Sequence, residues 1–207
     1  MKKGVFITME GTDGSGKTTQ IAFMEKYLRE KGYDVVLTRE PGGTVISEKI
    51  RKLILDPENR EMGYMTEMLL YASARAQLVS EVIKPAVKEG KVVICDRFVD
   101  SSYAYQGFGR GIDLKTIAEV NRIAIDGMVP DITFFLDVSP ETALKRRMKA
   151  TGADRIENEN MEFHMKVYAG YKKLAILYPE RIKDIDAGRG AERIFDDIRQ
   201  YLDELLE

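Results

Sequence analysis

Short apolar runs alternate along the chain with longer stretches in which apolar residues return every three or four positions. The runs at 5–9, 35–38, 92–95, 132–138 and 182–185 are too short for helices. They read as strands buried on both faces. Between them the spacing is helical. Ile21, Met24 and Leu28 mark a first helix that Gly32 can end, and Ile46, Ile50, Leu53 and Ile54 mark a second. A third runs from Tyr64 to about Lys88, kinked or split at Pro85. Ile117, Val120 and Ala124 mark a fourth. Ser139-Pro140-Glu141 offers the cap, the proline and the acid of a helix start. Phe163, Val167, Tyr171 and Leu174 mark a helix that stops before Pro179, and Ile194, Ile198, Tyr201, Leu202 and Leu205 mark the last. Strands alternating with helices predict an α/β fold around a parallel sheet. Two stretches break the alternation. One, 96–111, is polar, aromatic and glycine-rich; the other, 151–160, follows the basic run Lys145-Arg146-Arg147-Met148-Lys149. Both read as long loops, and loops of that length in a compact domain are usually functional.

Composition narrows the classes. At 207 residues, 44% hydrophobic and 32% charged, the chain reads as one globular domain over 1–207 that needs no disulfides to hold a core. The single cysteine, Cys95, excludes a disulfide framework and a cysteine-built zinc site, and the single histidine, His164, excludes a multi-histidine metal centre. Both read as structural. A net charge of −2 argues against a surface built for nucleic acid. No apolar run approaches the ~18 residues of a membrane span, and the run before Glu10 is too short for a signal peptide. The expectation is a soluble, cytoplasmic protein with no membrane partner.

Gly11-Thr12-Asp13-Gly14-Ser15-Gly16-Lys17-Thr18 fits G-x-x-x-x-G-K-[ST] at every fixed position, between a predicted strand and a predicted helix. Glycines let successive backbone N–H groups turn inward onto phosphate oxygens, and the helix N-terminus adds its positive end. Lys17 reaches the β and γ phosphates, and the Thr18 hydroxyl can ligate Mg²⁺. With the adjoining Thr19, this loop is the expected ATP site. The run Val92-Val93-Ile94-Cys95-Asp96 reads as a Walker B strand, with Asp96 at the end where open α/β sheets bind ligands. Arg97, not a glutamate, follows it, so the base that a hydrolytic motor needs is missing at this place. A cation there suits transfer to a second anionic substrate.

Further segments complete a pattern. They are Thr38-Arg39-Glu40-Pro41-Gly42-Gly43-Thr44, Leu69-Leu70-Tyr71-Ala72-Ser73-Ala74-Arg75, Asp96-Arg97-Phe98 with Ser101-Ser102-Tyr103-Ala104-Tyr105-Gln106-Gly107, and Asp154-Arg155-Ile156-Glu157. With Glu10-Gly11 at the P-loop, the chain closely resembles the thymidylate kinase family over nearly its whole length. The resemblance implies the P-loop NTPase fold of the nucleoside monophosphate kinase type, a five-stranded parallel sheet flanked by helices. It implies transfer of the ATP γ-phosphoryl to dTMP, with Mg²⁺, in a homodimer. It also implies roles. Tyr71 would stack on thymine and Arg75 would donate to a base carbonyl. Ser102 and Gln106 would meet the base edge, and Tyr105 would lie under the sugar. Asp13 would contact the deoxyribose 3′ side and metal-bound water. Arg97 and Arg39 would grip the dTMP phosphate; Arg51 would assist, or be a solvated helix charge. Glu157 matches an acid near the lid.

The P-loop carries no second cation, so the catalytic charge is expected from a lid at about 146–160, through Arg155 and one or both of Arg146 and Arg147. Asp186-Ala187-Gly188-Arg189-Gly190 falls where the family's adenine-facing loop lies. Other readings are a different deoxynucleoside monophosphate kinase on the same fold, and an ATP-dependent switch that transfers nothing.

Overall fold

The computed structural model describes residues 4–147 and 154–206. The side chain of Arg147, together with residues 148–153, lies outside the described residues. Five parallel strands, β1 (Val5–Glu10), β2 (Val35–Arg39), β3 (Val92–Asp96), β4 (Ile132–Asp137) and β5 (Ile182–Asp186), stand in the order β2-β3-β1-β4-β5. The central strand β1 is buried at every position, which is why its sequence shows no polar alternation. All five predicted strands are present, each with ends within one residue of the expected ones.

Helices cover both faces. On one, Met24 and Leu28 of α1 (Lys17–Glu30) and Ile194, Ile198 and Leu202 of α9 (Ala191–Leu206) pack on Ile7, Met9, Ile94 and Phe134. On the other, Leu78 of α3 (Tyr64–Leu78) meets Phe6, Val93 and Phe98. Val167, Tyr171 and Leu174 of α8 (Met161–Leu177) meet Phe135 and Ile182. Burying each such side chain contributes roughly 1.5–3 kcal/mol. Two shorter helices, α2 (Val45–Leu55) and α7 (Pro140–Arg147), flank the sheet's C-terminal edge, and α6 (Leu114–Ala124) lies against α3.

Two expectations are corrected. The helix does not split at Pro85: a π-helical turn, Val79–Ile83, joins α3 to α4 (Lys84–Lys88). A turn with a wider hydrogen-bond span accommodates a residue that lacks a donor. The stretch 96–111 is not an exposed loop either. It forms a short helix α5 (Val99–Ser102) and a π-helical segment, Tyr103–Gly109, packed along α8. Its glycines are packing residues. A Cβ on Gly109 would stand 2.7 Å from the Phe163 ring, and one on Gly107 would stand 2.6 Å from Leu114.

Candidate active site

β1 ends in the buried Glu10 and passes directly into the P-loop. Gly11, Gly14 and Gly16 have φ of 141°, 86° and 103°, conformations that side-chain-bearing residues rarely adopt. A Cβ on Gly11 would lie 2.8 Å from Ser15 Oγ. Lys17, at the first turn of α1, is 7% exposed and donates to the carbonyls of Gly11 and Thr12, both at 3.2 Å. Burial, with Arg97 nearby, lowers its pKa. Asp13 Oδ1 lies 3.9 Å from Lys17 Nζ and 2.8 Å from Arg97. Thr18, Lys17, Asp96, Arg39, Arg51, Arg97 and Arg146 all line one cleft of about 510 Å³ in front of this loop. Asp96 Oδ1 is buried there with no hydrogen-bond partner among the described residues.

Arg97 is the pivot of the site. Its φ of 70° is a left-handed conformation costing on the order of 1–3 kcal/mol, a strain that clusters at functional positions. The guanidinium lies over the Tyr105 ring and donates to Asp13 and to the Tyr171 hydroxyl. Burial opposes its charge, but Asp13, Tyr105, Tyr171 and Asp96 together outweigh it, and its pKa is raised. Behind it Glu10 accepts from the Phe98 N–H, the Ser101 hydroxyl and the Tyr171 hydroxyl, at 2.8, 2.7 and 2.8 Å. Burial, then Asp100, pushes the Glu10 pKa up to about 7 against the pull of Arg97.

A narrower pocket, about 80 Å³, opens from the same place. Tyr71, Tyr105, Ser102, Gln106 and Ile156 line it, and it shares Asp13, Glu40, Arg51 and Arg97 with the phosphate-side cleft. Two buried ion clusters form its base. In the first, Glu40 holds Arg75 through Nε and Nη2 at 2.8 and 2.5 Å. In the second, Glu67 is fully buried and accepts from Gln106, Arg110 and Arg155. Burial alone would raise its pKa, but the hydrogen bonds from Arg110, Gln106 and Arg155 prevail and lower it.

The family model described as thymidylate kinase matches residues 9–198. The chain is 52% identical over 196 residues to a thymidylate kinase of Thermoanaerobacter sp. (strain X514), covering 95% of this chain and 96% of that one. It is 54% identical over 192 residues to one from Finegoldia magna, covering 92% and 94%. The chain belongs to the thymidylate kinase family. Among solved structures, the thymidylate kinase of Ehrlichia chaffeensis superposes with a TM-score of 0.81 at 36% identity, covering 96% of this chain and 98% of that one. The fold is therefore that of the nucleoside monophosphate kinases, and the chain is a phosphotransferase of that kind.

Within the family's frame, the structure brings together Asp13, Lys17, Thr18, Asp96 and Arg97 on one side, and Tyr71, Ser102, Tyr105 and Gln106 on the other. Two expected residues are held by buried carboxylates. Arg75 is 1% exposed, and its N–H groups go to Glu40, Ser102, Asn121 and the Phe98 carbonyl. It lies against Ser102, which lines the pocket. Arg155 is anchored away from the phosphate-side cleft, donating to the Ile54 carbonyl at 2.8 Å and to Glu67 at 2.6 Å. A desolvated carboxylate draws each of them inward. Arg39 rims the phosphate-side cleft but is bound by Glu48, and Arg51 donates to the Pro41 carbonyl. Arg146 lines the cleft and donates to the Ala187 carbonyl at 3.1 Å, beside the loop expected to face adenine. Sequence reasoning missed the supporting acids Glu40 and Glu67 and the role of Tyr171. The one available signal was a carboxylate, Glu10, closing an otherwise apolar strand.

Proposed function

We propose that the chain transfers the γ-phosphoryl group of ATP to dTMP, giving dTDP and ADP. One observation carries the reading. The phosphate-side cleft and the aromatic pocket meet at Asp13, Glu40, Arg51 and Arg97, so two nucleotides bound in them would face each other across Arg97. The P-loop N–H groups and Lys17 would hold the ATP phosphates, with Ser15 and Thr12 at the loop. Arg97, with Arg39 and Arg51 at the rim, would hold the acceptor phosphate and balance charge as it moves between oxygens. Tyr71 and Tyr105 would sandwich the base and sugar, Ser102 and Gln106 would meet the base edge, and Asp13 would face the sugar.

Thr18 and Asp96 fit a Mg²⁺ ion. They face one cleft, and the buried Asp96 Oδ1 has no protein partner among the described residues. One or two protein ligands are what this ion takes when phosphates and water supply the rest. When bound it would neutralise charge on the bridging phosphate oxygens. A lid at about 146–160, within one kinase domain over 1–207, would bring Arg146 and Arg147 over the phosphates. Exposed Leu53 on α2 and Met65 and Leu69 on α3 support the family's homodimer. No helix among the described residues is long and apolar enough to cross a membrane, consistent with a cytoplasmic enzyme.

ADP release measured with ATP alone and with a panel of monophosphates tests the reading. The expected result is release that requires dTMP and far exceeds that with dGMP or AMP. Release at the same rate without an acceptor would leave an ATPase or switch, and a preference for a purine monophosphate would leave a different kinase.

A further inference from the structure

The two ion clusters under the aromatic pocket each occupy one half of a polar side chain that faces the base. Gln106 donates its Nε2 to Glu67 Oε1 at 3.0 Å. The amide therefore has its carbonyl oxygen left to offer the pocket that it lines. Turning the amide over would set that carbonyl against a buried carboxylate oxygen, two acceptors with no proton between them, so the orientation is fixed. Glu67 is itself immobile. It is 0% exposed and carries Arg110 through Oε1 and Oε2 at 3.2 and 3.0 Å and Arg155 at 2.6 Å. Arg110 in turn is clamped between the rings of Tyr64 and Phe163.

Ser102 is fixed in the opposite sense. Its Oγ accepts from Arg75 Nη1 at 2.8 Å, and Arg75 is held by Glu40. The hydroxyl proton is then free to donate into the pocket. Ser102 and Gln106 stand four residues apart along one helical stretch and line the same pocket. The pocket thus presents the Gln106 carbonyl, an acceptor fixed by Glu67, beside the Ser102 hydroxyl, which can donate.

That polarity has a base complement. A pyrimidine with an imide edge, such as thymine or uracil, offers a ring N3–H donor beside a carbonyl acceptor. Cytosine reverses both, with an N3 acceptor beside an amino donor. Resting on the dTMP site proposed above, we propose that Glu67 is a positioning residue which, through Gln106, makes this site select an imide pyrimidine against an amino pyrimidine.

The test is steady-state kinetics with dTMP and dCMP as acceptors for the parent, Glu67→Gln, Gln106→Leu and the double variant. A glutamine at 67 can donate as well as accept, so the Gln106 amide is released to turn. Glu67→Gln is expected to lower the dTMP:dCMP ratio of kcat/KM by ~10-fold or more, through KM, with kcat for dTMP kept within a few-fold. In the Gln106→Leu background the same substitution is expected to leave the ratio unchanged. An unaltered ratio in the single variant, or an equal change with and without Gln106, overturns the proposal. If Glu67→Gln does not fold, Glu67→Asp keeps the charge but withdraws it by one methylene, and the same readings of the ratio apply. N3-methyl-dTMP with the parent enzyme separates the two levels. Loss of its use keeps the base-edge reading, whereas use equal to dTMP means that the acceptor-site reading itself fails, whatever Glu67 does.

Discussion

Arg97 is the residue on which most of the chemistry converges. It bridges the P-loop acid Asp13 and the Tyr105 ring at a strained φ, and its position after Asp96 is legible in the sequence. An acceptor phosphate carries close to ~2 negative charges near neutral pH, and a buried site cannot hold them unpaired. Arg97→Ala is therefore expected to lower kcat/KM for dTMP by ~10²-fold or more while changing ATP affinity only a few-fold. Separate titrations of the two nucleotides check this, and equal weakening of both would move Arg97 out of the acceptor site. Glu10, just behind it, has consequences for stability. Its pKa rises from 4.5 to about 7 on folding, so between those values the folded chain binds more protons than the unfolded one. Its contribution to stability accordingly falls as pH rises through that window and is level above it. Urea midpoints from pH 5 to 7.5 should fall more for the parent than for Glu10→Gln. Parallel curves would mean that Glu10 keeps its ordinary pKa.

At the scale of elements, β1, β3 and β4 were legible because central parallel strands read as mostly apolar runs, whereas the edge strands β2 and β5, expected to be buried on both faces, are only half-buried and β5 carries Lys183 and Asp184. The region 96–111 was not legible, because Gly107 and Gly109 carry the same local signature whether they make a loop or admit a neighbouring helix. Only packing against α6, just downstream, and against the more distant α8 decides between the two. Gly170 on α8 has the same task, since its Cβ would stand 2.6 Å from the Phe108 ring. Gly170→Ala is expected to destabilise the protein by ~1–3 kcal/mol through overpacking. It should also raise the KM for dTMP, because Tyr105 and Gln106 ride on the displaced segment. Urea denaturation and the dTMP titration read both effects, and a variant as stable as the parent would show that the α8 contact has slack. Arg155 is held by the Ile54 carbonyl and Glu67, so the proposed lid charge falls to Arg146. Arg146→Gln is expected to lower kcat by ~10²-fold with little change in the KM for dTMP. Unchanged turnover would leave Arg146 a solvated helix-end charge.

For the whole molecule, three ion pairs span the fold beneath the acceptor pocket: Glu40 with Arg75, Glu67 with Arg110, and Asp100 with Arg181. Their partners lie 35, 43 and 81 residues apart, so no local pattern could announce them. That is why the residues touching a nucleotide could be expected from motifs while those that orient them could not. Buried pairs of this kind add little net stability but fix geometry, and here they fix the junction between the aromatic pocket and the phosphate-side cleft. The most direct measurement is the phosphorus balance of the reaction, followed by ³¹P NMR with the enzyme, ATP, Mg²⁺ and dTMP. Phosphoryl transfer across Arg97 requires one dTDP for each ADP, with no inorganic phosphate while dTMP is present. Phosphate in place of dTDP, or no turnover of ATP in the presence of dTMP, would contradict it.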